Sequence, residues 1–576
     1  MNLNKRIAAL LMLSVLMIGS WSCKKMFDVA PEDKLDSSNA YKNVTDADAA
    51  VMGIYGQFLQ LHKLYILQNE LRGDLVDVTA GASLELKELS AHTATKTNPY
   101  VDPRPYYNVI INCNDALKNF KAMLDDKRMS VDDYQKHFSD IGALRSWIYL
   151  QVGIQYGSVP YITEAYETVD DLKNLGNLPR LTFDQLLDKL IEFTEKLPYK
   201  SLYGYPTGNS LLVTIDGNST QKLFITKPFL LGDLYLWKGN YLKAAENYAL
   251  VMNGENNNSN GNIYFNYYKI NNFVDNTGYT RMVVSYGRYQ DESSLVNTPD
   301  DGWRGIFGLP TTSNSWNSEW MWAIPYNPAY KPVNPMINLT SPVKGYQIKP
   351  SQVAIDLWED QNQYSGIPYD ARGKLSYNSS FSGNAITKLT DNGGKWGIYR
   401  AGLLHLRFSE AANRDGQTKL GWAFLNTGLI PTYYVGTLVA GARTPATEAE
   451  LNTMITPYPK ESPYYFDARK NGTDLSAIWY RNAGVRGRAG VTAIDISYQT
   501  DMLGLENKLL DEAALELAFE GNRWPDLVRT ARRQGNPAFL ADRIYQKLLK
   551  SGNPDAAATR TKLMNPANWY LPFDWK

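Results

Sequence analysis

The sequence predicts a mainly α-helical protein, a tetratricopeptide-like helical repeat scaffold with large irregular, aromatic-rich loop insertions. Three observations predict it. Apolar residues recur at spacings of three and four over several long stretches. One pair of helices, Thr226 to Met252, places small and aromatic residues at the spacing of a tetratricopeptide unit. The middle of the chain, residues 253–396, is rich in Asn, Gly, Pro, Tyr and Trp and keeps no sustained period.

The N-terminus reads as an address. Lys5 and Arg6 form a positive region, and Ile7 to Gly19 is an apolar run of thirteen residues. A bilayer needs about 20 such residues, so this is a secretory signal and not a span. Ser20 and Ser22 would suit ordinary signal peptidase, whereas Cys23 at the cut suits lipoprotein processing. The expectation is a lipoprotein signal over residues 1–22 with acylation of Cys23, and a lipid-anchored tether over 23–45.

Residues 46–252 form the expected N-terminal scaffold. Ala50, Ile54, Phe58 and Leu61 mark its first helix, and Tyr106 to Met123 its second. Cys113 falls on the apolar face of the second and reads as a buried small hydrophobe. A third helix, Asp132 to Tyr156, stops at Gly157 and Pro160. Thr182 caps a fourth, which ends by Pro198. In the pair Thr226 to Met252, Gly232 and Ala244 let the helices approach, with Gly239-Asn240 as the turn. Residues 253–396 are expected to be irregular and to face the ligand, since long loops on a rigid scaffold carry recognition. Residues 397–576 complete the scaffold. Helices are expected over Ile398–Ala412, Leu420–Leu425 and Leu505–Arg533, with Thr437–Thr500 irregular.

Bulk composition excludes some classes. Lys+Arg and Asp+Glu both number 59, so there is no basic footprint for nucleic acid. The four His are scattered, and none pairs at metal-ligand spacing. No cofactor or metal is expected. The outliers are 39 Tyr and 14 Trp, residues with an apolar face and a polar tip.

Several segments together resemble the SusD/RagB family of outer-membrane nutrient-binding lipoproteins. Met26-Phe27-Asp28-Val29-Ala30-Pro31 is similar to the family's opening after the cysteine, and Asp46 to Tyr55 to the helix that follows. Tyr107 to Asn114, Ala143 to Pro160 and Tyr399 to Ala411 resemble three further family segments. The most specific is Glu516-Leu517-Ala518-Phe519-Glu520-Gly521-Asn522-Arg523-Trp524-Pro525-Asp526-Leu527. Here Gly521 can take a positive φ and Pro525 suits a first helical turn. Arg523 is expected to stack on Trp524 or to pair with Glu520 or Asp526. The segment reads as a buried clamp between helices, with a ligand site as the alternative.

The resemblance implies a lipid-anchored, surface-exposed outer-membrane protein. It would bind oligosaccharide, or peptide as in some relatives, and deliver it to a TonB-dependent SusC-like channel without catalysis. A pyranose offers an apolar C–H face ringed by hydroxyls, so its site needs flat aromatics beside polar side chains. Two regions fit. One is the loop before the second helix, with Asn98, Tyr100, Asp102 and Arg104; in the family this loop often contributes to the site. The other is the aromatic stretch with Tyr289, Trp303, Arg304, Trp316 and Trp320. Trp303, after Asp300-Asp301-Gly302, is the best exposed candidate, whereas Glu319 to Ile324 reads more like a buried strand. No catalytic residues are expected. A surface glycoside hydrolase would need two carboxylates across a cleft, a pairing that one sequence cannot display. A tetratricopeptide adaptor gripping protein tails in the periplasm is the other rival.

Overall fold

The computed structural model describes residues 41–165, 179–200, 205, 208–215, 218–253, 272–274, 280–282, 306–307, 319–327, 332–363, 366, 368–379, 383–390, 394–433, 458–466 and 484–575. The signal, Cys23 and the tether as far as residue 40 lie outside them, as do Tyr289, Trp303, Arg304 and Trp316.

The N-terminal scaffold forms from the periodic segments. Helix α1 (Val44–Leu59) starts at a capping box, in which Asn43 and Asp46 satisfy each other's backbone N–H. Helix α2 (Arg104–Asp125) buries Tyr106, Ile110, Cys113 and Phe120 on one face. Burial pushes the Cys113 thiol up to about 12, so it packs as an inert hydrophobe. Helix α3 (Val131–Tyr156) is buried continuously from Ser139 and touches α1, α2, α4 (Phe183–Glu195) and α5 (Lys227–Lys238). Thr182 caps α4 with Gln185 reaching back. Helix α6 (Tyr241–Asn253) returns against α5. They pack closely at Gly232, where a Cβ would stand 2.4 Å from the Tyr248 ring.

The chain then departs from sequence expectation. Strand β1 (Val76–Val78) pairs antiparallel with β3 (Ile348–Pro350), and β2 (Trp320–Pro325) with β4 (Lys395–Arg400). Helix α7 (Gln352–Glu359) also lies inside the stretch expected to be irregular. The helix expected from Ile398 begins only at Ala401, as α8 (Ala401–Arg414). Trp396, Ile398 and Tyr399 instead pair with or flank β2, as β-branched and aromatic residues favour. The C-terminal region adds α9 (Thr418–Leu425), α10 (Met502–Leu517), α11 (Arg523–Gln534), α12 (Pro537–Lys550) and α13 (Ala556–Leu563). Helix α6 packs on α8, and α8 on α9 and α10, so the repeat stack runs on across the central insertion.

Among the described residues, one apolar core runs from Tyr41 to Leu571. At its centre the Phe58 ring lies parallel to Trp322, 5.6 Å away, and against Trp396 at 4.6 Å. Around it lie buried ionic clusters. Glu319, Asp370, Glu512, Glu516 and Glu520 interlock with Arg372, Lys388, Arg400, Arg486 and Arg488, five carboxylates against five cations. Charges this deep persist only when paired and hydrogen-bonded, as these described residues are. A second cluster joins Glu410 and Asp526 to Arg407, Arg529 and Arg533.

The segment Glu516 to Leu527 is therefore a buried clamp, but its contacts differ from expectation. Arg523 holds Asp74 in a two-pronged pair at 2.5 and 2.8 Å, not Glu520 or Asp526. Glu520 goes to Arg400 and Asp526 to Arg407. The Trp524 ring is covered by the Arg72 guanidinium at 4.2 Å. Gly521, with φ +89°, sits so close to Tyr65 that a Cβ would lie 2.0 Å from the ring.

Candidate functional site

The turn after α1 runs through a short helix, His62–Ile66, into a wide π turn, Leu67–Leu71. The π turn directs Gln68, Asn69 and Glu70 inward, and His62 is buried with them. Lys63 and Gln60 remain exposed. The loop before α2 comes up beside them. Its residues Pro99–Val101 form a single 3-10 turn capped by the Asn98 side chain.

That loop is fixed from behind. Gln68 Nε2 donates to the Tyr100 carbonyl at 2.8 Å, and the Tyr156 hydroxyl to the Val101 carbonyl at 2.9 Å. Tyr106 donates in turn to Gln68 Oε1 at 2.8 Å. The C-terminal tail braces the same region: Asp574 pairs with Lys96 at 2.5 Å, and Trp575 packs on Tyr107 and Tyr156. A loop pinned by buried side chains presents its outer groups without ordering cost when a ligand arrives.

An open cleft of about 520 Å³ lies next to it, between Leu59, Gln60 and Lys63 on one side and Tyr326, Pro332, Val333 and Pro335 on the other. Val333 is exposed, whereas Tyr326 turns its hydroxyl inward to His62 Nδ1 at 2.9 Å. Asn334 pins the far wall, accepting from Met336 N and donating to the Leu389 carbonyl. Lys63 links cleft and loop, its ammonium 5.2 Å above the Tyr100 ring. An apolar floor edged by an amide and an ammonium can hold a ligand that has both apolar faces and polar groups.

The sequence-predicted residues divide. Tyr100 is half-buried beside the cleft, and Asp102 and Arg104 follow it on the surface. Burial raises the Asp102 carboxyl, but hydrogen bonds from Arg104 outweigh this and hold it below its usual value. Asn98 is buried, and its amide is spent on Glu85, Glu88 and Tyr100, so its side chain shapes the loop. Trp320 is likewise corrected. It is 1% exposed, donates its indole N–H to the Ile306 carbonyl and packs against Phe307. Strand β2 is covered, which removes the ring from any surface. Gln60, Lys63, Pro332 and Val333 were not singled out from sequence. The only local signal is the bracketing of Val333 by Pro332 and Pro335, which marks a rigid turn and names no ligand.

Residues 451–572 match the model of the SusD family. Comparison with curated proteins gives no match. Among solved structures, the fold is similar to a SusD superfamily protein from Bacteroides thetaiotaomicron, at 16% identity and a TM-score of 0.56, over 93% of this chain and 96% of that one. It is similar to a SusD-like carbohydrate-binding protein from Bacteroides fragilis at 14% identity and a TM-score of 0.55, over 85% and 86%. A laminarin-binding SusD-like protein matches at 16% identity and a TM-score of 0.52, over 88% and 98%. At these identities the likeness is one of fold. Among the described residues, no helix is long and apolar enough to cross a membrane.

Proposed function

We propose that this chain is a member of the SusD/RagB family, whose model residues 451–572 match and whose superfamily fold it resembles, and that it binds an oligosaccharide at the cell surface without chemical turnover. The bound glycan passes to a TonB-dependent SusC-like channel, and the acylated Cys23 holds the protein on the outer membrane. The observation that carries this reading is the open cleft flanked by a rigid loop, on a scaffold shared with proteins named as carbohydrate-binding and laminarin-binding. Pro332, Val333 and Pro335 offer the apolar surface that a pyranose C–H face needs, and Gln60, Lys63 and Tyr100 its polar and aromatic edge. Tyr289, Trp303, Arg304 and Trp316 belong to the proposed site on sequence grounds. Each hydroxyl exchanges water for protein, so affinity is modest, roughly millimolar to micromolar.

Electrophoresis in native gels loaded with single polysaccharides, laminarin among them, tests the reading. Retardation in at least one gel, with the polysaccharide recovered unshortened, is the expected result. Free migration in every gel, or release of reducing ends, contradicts binding or its non-catalytic character respectively.

A further inference from the structure

The described lining of the proposed cleft carries one sign of charge. Among its described lining residues there is one ammonium, Lys63, and no carboxylate. Lys63 is exposed and makes no ion pair among the described residues; its charge lies over the Tyr100 ring at 5.2 Å. The carboxylate on the adjoining loop, Asp102, is already matched. Arg104 Nε reaches its two oxygens at 2.9 and 2.8 Å, and a second guanidinium nitrogen adds a contact at 2.7 Å. The cation–π contact holds the ammonium at the cleft edge without neutralising it. An ammonium offers three donors as a compact point charge, which favours an anionic acceptor over a hydroxyl. The Pro332 and Val333 side keeps the other contacts apolar, as a sugar ring requires.

We infer that the cleft selects an acidic oligosaccharide, one bearing uronate or sulfate groups, and that Lys63 reads the charge. This deepens the glycan-binding reading above and rests on it. The shared chemistry is an anionic substituent on a pyranose ring, within reach of the ammonium while the ring lies on the apolar side.

The test uses the full chain in a non-glycosidic detergent. A glycan array carrying neutral, uronate-bearing and sulfated oligosaccharides is followed by calorimetry with the tightest acidic binder at low and physiological salt. The expected result is that acidic spots are bound in preference to neutral ones, the array itself separating uronate from sulfate. Lys63→Met then lowers affinity for the acidic oligosaccharide about three- to ten-fold at low salt and flattens its salt dependence, while Lys63→Arg retains most of it. Unfolding temperatures of both variants are measured alongside, to separate binding from folding. If neutral oligosaccharides bind as tightly as acidic ones, or Lys63→Met leaves the acidic affinity unchanged, the charge selectivity is overturned and glycan binding stands. If no spot binds, glycan binding itself is overturned.

Discussion

The Glu70 carboxylate accepts the backbone N–H of Gly521 at 2.7 Å, joining residues 451 positions apart in the chain. The same side chain accepts from the N–H groups of Phe519, Asn522 and Arg523. An acidic side chain in the π turn beside the candidate site thus caps the turn that leads into α11. Glu70→Ala strands four buried donors and is expected to cost about 3 kcal/mol or more, read from urea unfolding.

Glu70 also gives stability a pH dependence. Burial pushes its carboxyl up to about 7, against the lowering effect of the four backbone N–H groups. Between the ordinary carboxylate value and about 7, the folded chain keeps a proton that the unfolded chain loses. This group's contribution therefore falls as pH rises through that window, by about 1.4 kcal/mol per pH unit at most, and is flat above it. The stability difference between wild type and Glu70→Gln should shrink across the same window. A difference that is constant from pH 4.5 to 7 would contradict this.

The buried ionic cluster around Glu516 should behave in the opposite sense. Burial raises its carboxyl, but Arg488, Arg400 and Arg372 outweigh this and hold it well below the usual value. Its contribution is present above the unfolded carboxylate value and is lost as pH falls below it. Arg400→Met leaves Glu516 and Glu520 each short of a partner in the interior and should cost about 3–5 kcal/mol. Denaturant midpoints at pH 7 check it, and a loss under 1 kcal/mol would mean the cluster relaxes around the gap.

Gly232→Ala drives a methyl into the Tyr248 ring, whose hydroxyl is held by Asp233 at 2.6 Å. The ring cannot swing away without losing that bond. The helix gains propensity from alanine, yet overpacking dominates, and a net loss of about 1–2 kcal/mol is expected in thermal unfolding.

Cys23→Ser removes the one proposed acylation point. Cells expressing it should release the chain from the membrane fraction and incorporate no labelled palmitate, whereas the parent chain should partition with membranes and be cleaved by protease added to intact cells.

What could be read from sequence follows from the range of each interaction. The helices were legible because their apolar faces repeat within a turn or two, and the α5–α6 contact because Gly232 and Ala244 sit at a fixed, short spacing. Arg523 was misassigned because its nearest acids in sequence are Glu520 and Asp526, while its partner Asp74 is 449 residues away. The Glu319–Arg400–Glu516 junction was invisible for the same reason. Trp320 carried two opposed signals, an aromatic in a recognition-rich stretch and a member of the apolar run Trp320–Ile324, and burial in β2 decided between them. The loop at Tyr100 could be proposed from its resemblance, but the opposing wall at Val333 could not. Its approach to Lys63 arises only when the segment 332–340 folds back on the helix His62–Ile66.

The most direct measurement is a crystal structure of the chain with its tightest-binding oligosaccharide. The expected result is sugar density in the cleft, in contact with Val333 and Pro335 and within hydrogen-bond reach of Gln60 or Lys63. Density for the sugar elsewhere on the molecule, with the cleft between Lys63 and Val333 unfilled, would contradict the assignment.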